Sequence, residues 1–220
     1  MPLHFTRALK LATGVGIVAA ITVHFLASAP LLWIFAPLAT ILILAIAFAN
    51  WRARNDRYSL WITIGLLFSL VGDVLLLRPD HFFTLGLSAF LLTHIAYLFA
   101  FTRDTHFPAR FGVWILYLLF AACCNFLLFS RLPAGLRLPI AVYSVFLVSM
   151  AAQAMGRSFL LHTSAARYAA VGALLFVFSD SLLAFNRFYA PLRLAPLLIL
   201  VPYYAGQWLI ASSTDDPQPS

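Results

Sequence analysis

Two aspartates, Asp73 and Asp180, stand well inside apolar stretches of the sequence. A charged side chain at the centre of a bilayer costs about 2.5–3.5 kcal/mol on insertion scales, so an acidic residue there is a candidate for function. We therefore predict that both aspartates belong to a functional site. The alternative is that each pairs with a nearby Arg or Tyr and serves only packing.

Other polar side chains share helical faces near these aspartates. His94 and Tyr97 are three residues apart, so a helix would present both on one face. Tyr203 and Tyr204 precede Gln207 by four and three residues, which gives the last apolar stretch a polar stripe. We predict that these five side chains bind substrate. The alternative is interhelical hydrogen bonding, which polar side chains commonly provide in membrane bundles.

Arg187 follows Asp180 by seven residues, about two helical turns, which places both side chains on one face. We predict that its guanidinium binds a phosphate group. The alternative is that this long side chain only extends to the membrane interface. For four other polar side chains inside apolar stretches we favour hydrogen bonding between helices: Asn125, Tyr143, Gln153 and Asn186.

Known catalytic and metal-binding motifs are missing from the sequence. It contains no Gly-x-Ser-x-Gly, His-Glu-x-x-His or phosphate-loop pattern, so serine-hydrolase, zinc-protease and nucleotide-driven mechanisms have no motif support. The two cysteines, Cys123 and Cys124, are adjacent and lack metal-ligand spacing. We expect neither a metal nor a cofactor.

Membrane-spanning helices must position these residues. Hydrophobic residues make up 63% of the 220-residue chain and charged residues 10%, against roughly 45–50% and about 25% in soluble domains. Segments of roughly 20 apolar residues cross a bilayer, and they leave no room for a soluble domain. We predict an all-α, polytopic transmembrane helical bundle of about eight helices, at residues 10–28, 31–49, 58–77, 83–101, 110–129, 138–156, 166–186 and 193–211. Residues 1–211 would form a single transmembrane domain, and residues 212–220 a short disordered acidic tail.

The basic residues predict the orientation of this bundle. The chain carries a formal net charge of +7, but its 14 Lys and Arg residues fall between the apolar stretches, as topology determinants and lipid contacts do. We therefore expect contacts with membrane lipids and no nucleic-acid partner. The connections on the side opposite the N-terminus hold only five of these 14 residues. The positive-inside rule therefore places both termini in the cytoplasm, and we predict a multi-pass protein of the cell membrane. The five are Arg78, Arg131, Arg137, Arg187 and Arg193.

A weak internal repeat connects the two aspartates. Asp73 and Asp180 lie 107 residues apart in similar Leu-rich contexts, and the same offset aligns Tyr97 with Tyr204. An even number of spans separates the aligned segments. The repeat therefore predicts two four-helix halves with the same orientation in the membrane.

The order of these motifs resembles the YhhN family of integral membrane lysoplasmalogenases. The resemblance extends over most of the chain from the second helix onward. One departure stands in the second helix, where relatives often have Lys-Pro-Leu and this chain reads Ala-Pro-Leu from Ala36. The matching segments are residues 68–76 with Asp73, residues 86–97 with His94 and Tyr97, residues 172–180 with Asp180, and Tyr203-Tyr204 with Gln207.

The resemblance implies an ether hydrolase whose substrate is a lysophospholipid. Such an enzyme cleaves the vinyl ether bond of a lysoplasmalogen with water, giving a fatty aldehyde and a glycerophospho-alcohol. Vinyl ethers hydrolyse through protonation of the distal alkenyl carbon to an oxocarbenium ion. That step needs a positioned acid and a nearby negative charge. The resemblance therefore implies that Asp73 and Asp180 are catalytic, because one can hold a proton and act as the general acid while its ionised partner stabilises the positive charge.

Two other classes of function remain open at this stage. A proton-coupled transporter of a small lipid or solute would use the aspartates as proton carriers, and the repeat favours it. Its helices would normally show paired Gly or Pro interruptions, which the segments around Asp73 and Asp180 lack. An intramembrane aspartyl protease also places two aspartates on two helices, but it normally has Gly-x-Gly before the second one, where this chain has Phe178 and Ser179.

Overall fold

The computed structural model describes residues 11–19, 21–22 and 29–215, and no strand occurs among them. Residues 11–19 and 21–22 are helical and are labelled α1; the rest of the predicted first span, residues 10–28, lies outside the described part. Seven helices follow: α2 (Ala29–Arg54), α3 (Arg57–Leu76), α4 (Pro79–Phe101), α5 (Phe111–Leu128), α6 (Ala134–Leu161), α7 (Ser164–Phe188) and α8 (Ala195–Ser212). Within the described residues, these seven helices are long and apolar enough to cross a membrane, α2 over Ile34–Arg54. The predicted all-α, polytopic bundle is confirmed.

Local sequence signals explain where several helices begin. Asp56 precedes α3 and its carboxylate accepts a hydrogen bond from the backbone N–H of Ser59, at 2.8 Å. Thr163 caps α7 in the same way through Ala166. These caps satisfy backbone donors that a helix leaves free in its first turn. The helix α6 extends beyond the predicted span of 138–156 at both ends, and it contains Pro139 near its start.

The helices pack in two similar groups. In the first group α3 lies against α4 and α2, and in the second α7 lies against α8 and α6. The two groups meet where α4 packs on α6 and where α2 packs on α8. An offset of 107 residues maps α2, α3 and α4 onto α6, α7 and α8, so the neighbour relations repeat as the predicted halves require.

Glycines set the short distances between the aspartate helices and their neighbours. A Cβ on Gly172 of α7 would stand 2.6 Å from the carbonyl oxygen of Gly206 on α8. In the first group, a Cβ on Gly72 of α3 would stand 2.6 Å from the ring of Phe90 on α4. Small residues allow this close packing, which replaces the hydrophobic effect as the source of helix association in lipid.

One end of the bundle is closed by buried polar contacts. Arg157 of α6 is fully buried and forms an ion pair with Asp104 of the α4–α5 loop, at 2.6 Å. Gln153 of α6 accepts a hydrogen bond from the backbone N–H of Ala109, at 2.9 Å. These contacts fix the loop of residues 102–110 against α6.

The chain continues in contact with this end beyond residue 211. Ser213 and Thr214 are buried, and the Ser213 hydroxyl lies 2.7 Å from that of Tyr58. Asn50 donates to Thr214 at 2.9 Å, and Arg54 donates to the carbonyl oxygens of Thr214 and Asp215. Residues 213–215 are therefore packed, whereas the predicted disordered tail began at residue 212; residues 216–220 lie outside the described part.

Candidate active site

A cavity of about 490 Å³ lies between the helices, and both aspartates line it. Asp73 enters from α3 and Asp180 from α7. Most of the wall is apolar, with Leu87, Leu147 and Ile199 among its side chains. The cavity lining includes Leu77 and Pro79 at the α3–α4 connection, and also Phe120 of α5 and Leu147 of α6. Intramembrane carboxyls, which are costly to bury alone, thus face a shared space.

Asp73 receives hydrogen bonds on both of its carboxyl oxygens. The Thr40 hydroxyl donates to Oδ2, and the Tyr203 hydroxyl donates to Oδ1 at 2.7 Å. Thr40 belongs to α2 and Tyr203 to α8, so three helices meet at this carboxyl. The bonds fix its orientation towards the cavity.

A chain of buried polar side chains supports Tyr203 from behind. The Tyr203 and Ser69 hydroxyls are 2.8 Å apart, and Gln207 donates to the Ser69 oxygen. Tyr97 in turn donates to Gln207 Oε1 at 2.6 Å. All of these side chains are buried. Tyr97 and Gln207 therefore lie outside the cavity wall and orient a residue that forms part of it.

Asp180 has a different set of neighbours. The Tyr143 hydroxyl donates to Asp180 Oδ2, and His94 Nε2 lies 2.9 Å from the same hydroxyl and 3.6 Å from Oδ2. His94 is fully buried, and its Nδ1 has no hydrogen-bond partner among the described residues. Because Tyr143 gives its only proton to Asp180, its oxygen accepts from His94 Nε2, which must carry the proton.

Aromatic rings join the two sets of neighbours. The ring of Phe176 lies 4.9 Å from that of His94 and 5.5 Å from that of Tyr203, measured between centroids. Phe90 packs edge-on against Tyr203 at 5.9 Å. Such edge-to-face contacts restrict ring rotation. The partners of Asp73 and those of Asp180 thus belong to one packed aromatic cluster, part of which lies behind the cavity wall.

The mouth of the cavity is basic and aromatic. Arg187 is exposed, lines the cavity, and places its guanidinium 4.3 Å from the centroid of the Phe83 ring. Its Nη2 lies 3.5 Å from the Pro79 carbonyl oxygen. The charge is therefore held at the junction of α4 and α7, where it can meet an anionic group at the end of an apolar cavity.

The structure divides the eight predicted site residues into two groups. Asp73, Asp180, Arg187, Tyr203 and Tyr204 line the cavity. His94, Tyr97 and Gln207 are buried behind it. His94 and Gln207 bond to the wall residues Tyr143 and Tyr203, and Tyr97 bonds to Gln207.

Two residues that touch the aspartates were missed as candidates. Thr40 was not considered, and Tyr143 was expected only to bond between helices; it does so, but its partner is Asp180. The sequence signal for Tyr143 was a hydroxyl group within an apolar helix, which it shares with Ser144 and Ser149. That signal does not identify the partner.

Comparison with known proteins places the sequence among membrane proteins. The profile of the YhhN family matches residues 31–214. Lysoplasmalogenase TMEM86B of Sus scrofa is 36% identical over 156 residues, which cover 71% of this chain and 64% of that protein. Lysoplasmalogenase TMEM86B of Homo sapiens is 31% identical over 182 residues, 82% of this chain and 75% of the relative. The uncharacterized membrane protein YhhN of Escherichia coli O157:H7 is 28% identical, over 82% of this chain and 86% of that protein. No solved structure matches.

Proposed function

Because the chain belongs to the YhhN family, we propose that it is a hydrolase that cleaves the vinyl ether bond of lysoplasmalogens. The products would be a fatty aldehyde and a glycerophospho-alcohol. The observation that carries this proposal is the cavity in which two intramembrane carboxyls, Asp73 and Asp180, face one apolar space. The names of relatives at 31–36% identity support the substrate class.

The shape and charge of the cavity suit an amphiphile with one tail. Its volume of about 490 Å³ lies within the range of about 300–1,000 Å³ that small-molecule sites occupy. The apolar wall would hold the alkenyl chain, and Arg187 at the mouth would pair with the phosphate. The vinyl ether, which joins tail and head, would then lie beside the carboxyls.

The chemistry of the aspartate pair fits this bond. Protonation of the distal alkenyl carbon by a carboxylic acid gives an oxocarbenium ion, which a second, ionised carboxylate stabilises while it orients water. Tyr203 and Tyr143 hold the two carboxyls in place. We propose that Asp73 and Asp180 are the catalytic residues and that His94, Tyr97, Tyr203, Tyr204 and Gln207 shape the site around the substrate.

The substrate would reach the site from the surrounding lipid. We propose that the protein acts as a multi-pass enzyme of the cell membrane, with membrane lipids as its other partners. A lysophospholipid would enter with its head at the level of Arg187, where α4 begins and α7 ends.

Aldehyde release from a purified lysoplasmalogen tests the proposal. Detergent-solubilised protein should release fatty aldehyde from alkenyl lysophospholipids with ethanolamine or choline head groups. The matched control is the saturated 1-alkyl lysophospholipid, which has the same size and charge but no vinyl ether, and it should give no aldehyde. Folded protein that releases none from either alkenyl lipid would contradict the proposal and favour the transporter.

A further inference from the structure

The two carboxyls of the cavity have different hydrogen-bonding capacity left. Each oxygen of Asp73 accepts a hydrogen bond from a hydroxyl group, Oδ2 from Thr40 and Oδ1 from Tyr203. Asp180 accepts only at Oδ2, from Tyr143. In the part of the chain that the structure describes, nothing donates to Asp180 Oδ1, and this oxygen is not among the buried unpaired atoms. Since the residue lines the cavity, Oδ1 faces the open space.

This difference bears on where a proton can reside. A carboxylate is a strong acceptor at both oxygens, whereas a protonated carboxyl has one O–H group that donates and whose oxygen accepts only weakly. Protonating Asp73 would weaken its hydrogen bond from Thr40 or from Tyr203, because each oxygen already accepts one. Protonating Asp180 on Oδ1 weakens no such bond, and Oδ2 still accepts from Tyr143 as the carbonyl of a carboxylic acid does.

We propose that Asp180 is the proton donor and that Asp73 is the ionised carboxylate of the pair. This assignment rests on the proposed vinyl ether hydrolysis and gives each aspartate one role in it. Tyr143 and His94 are positioning residues, because they hold Asp180 through Oδ2 and leave Oδ1 directed at the substrate. Thr40 and Tyr203 are the positioning residues of Asp73, and together they hold both of its oxygens.

The roles give a balanced reaction. The proton on Asp180 Oδ1 passes to the distal alkenyl carbon, the electrons of the C=C bond form the new C–H bond, and an oxocarbenium ion results. Water adds to the adjacent carbon and gives one proton to Asp73, which yields a neutral hemiacetal. Asp73 then returns this proton to the glycerol oxygen as the C–O bond breaks, and the hemiacetal hydroxyl returns its proton to Asp180. Aldehyde and alcohol leave, and both aspartates regain their starting states.

Two inert substrate analogues separate these roles by binding alone. One is the saturated 1-alkyl lysophospholipid; in the other, a secondary ammonium replaces the ether oxygen and imitates the cationic intermediate. An ionised carboxylate beside this position favours the ammonium analogue over the ether, and a neutral acid does not. The ratio of the two Kd values, measured by titration calorimetry on folded protein, therefore reports which aspartate is charged.

We expect wild-type protein to prefer the ammonium analogue by at least about tenfold. Asp73→Asn should remove this preference. Asp180→Asn should keep it, because the amide imitates a protonated carboxyl and still accepts from Tyr143. Asp80→Asn, which removes an exposed carboxylate outside the cavity wall, should match wild type. If the amide at position 73 does not fold, Asp73→Ser carries the same comparison.

The reverse dependence, loss in Asp180→Asn and retention in Asp73→Asn, would overturn the assignment. A preference that survives both changes, or is missing from wild type, would overturn it as well. Aldehyde release by the wild-type protein distinguishes failure of this assignment from failure of the proposed function. If aldehyde forms, the proposed hydrolysis stands and only the assignment of the two roles fails. A wild-type protein that binds neither analogue and forms no aldehyde would contradict the proposed function itself.

Discussion

Hydroxyl groups are the direct partners of both aspartates. Thr40 and Tyr203 donate to Asp73, and Tyr143 donates to Asp180. A hydroxyl can donate to a carboxylate or to the carbonyl oxygen of an acid, so it holds the group through a change of protonation. At the scale of the residue, the site is therefore built to orient the carboxyls without neutralising them.

Loss of the Tyr143 hydroxyl should lower turnover more than binding. Tyr143→Phe keeps the ring that packs against His94 but removes the donor to Asp180. Hydrogen bonds to charged groups contribute about 1.5–3 kcal/mol, so we expect kcat to fall by about tenfold or more with KM within about twofold. Steady-state aldehyde release measures both constants. Tyr168→Phe, at an exposed tyrosine, is the control; an unchanged kcat for Tyr143→Phe would remove Tyr143 from the site.

Loss of the Arg187 side chain should weaken binding more than turnover. Arg187→Ala deletes the charge at the cavity mouth, about two turns from Asp180. A contact with phosphate that is equal in the bound and transition states changes KM and leaves kcat. We expect KM to rise several-fold with kcat nearly constant. Arg167→Ala, at an exposed position at the other end of α7, is the control, and an equal KM in the two variants would mean that the phosphate binds elsewhere.

The sequence identifies the two aspartates more readily than it identifies the side chains that bond to them. A carboxyl inside an apolar helix is rare and costly, so Asp73 and Asp180 stood out from the sequence alone. A hydroxyl there is common, because it can bond to the backbone of its own helix, as Thr63, Ser144 and Ser181 do. Thr40 bonds across helices instead. Only the packing of α2 against α3 distinguishes it from the others.

At the scale of the element, a close contact between α7 and α8 fixes the distance between Asp180 and Tyr203, the partner of Asp73. Gly172 of α7 touches the backbone of α8 at Gly206, one turn from Tyr203. A wider separation of α7 from α8 would move Asp180 away from the wall that Tyr203 forms. The position of Asp180 relative to Tyr203 thus depends on two glycines that let the backbones of α7 and α8 touch.

Adding one methyl group at this contact should disturb both stability and activity. Gly172→Ala places a Cβ 2.6 Å from a backbone oxygen, which cannot move aside as a side chain can. Overpacking of this kind typically costs about 1–3 kcal/mol, and we expect a lower midpoint of thermal unfolding in detergent together with reduced kcat. Gly135→Ala, where no atom lies within 4 Å, should behave as wild type. Equal stability of the two variants would show that α7 and α8 pack more loosely.

The existence of the helices was predictable, but their ends were less so. Long apolar runs define the spans because backbone polar groups in lipid must bond within the helix. Their ends depend on local interactions: the span predicted to begin at residue 138, beside Pro139, begins at Ala134. Contacts with side chains far along the chain also set the ends, as for residues 213–215, which Arg54 and Asn50 hold.

At the scale of the whole molecule, the two halves enclose the cavity between them. The pairs α2–α3 and α6–α7, and likewise α3–α4 and α7–α8, are packed alike, and Asp73 and Asp180 occupy matching places. The repeat in the sequence predicted the halves. It did not predict that Asp73 and Asp180 have different partners. The offset of 107 aligns Tyr143, which donates to Asp180, with Ala36, whose side chain cannot donate a hydrogen bond.

The orientation of the bundle follows from its basic residues. Nine of the 14 Lys and Arg residues lie on the side of the N-terminus, so we expect both termini in the cytoplasm and the cavity mouth, with Arg187, on the outer side. A reporter fused at the C-terminus should be active only in the cytoplasm. A reproducible external signal from that fusion would reverse the orientation and the side from which substrate enters.

The central claim is that two carboxyls in one cavity hydrolyse a vinyl ether, and aldehyde release by aspartate variants tests it most directly. Wild-type protein, Asp73→Asn, Asp180→Asn and the control Asp80→Asn should be compared on the same lysoplasmalogen, each shown to be folded by its elution and thermal unfolding. General acid catalysis typically contributes about 10²–10⁴-fold, so each cavity variant should lose at least about 100-fold in kcat while the control keeps wild-type activity. Full activity in Asp73→Asn or in Asp180→Asn would contradict the claim.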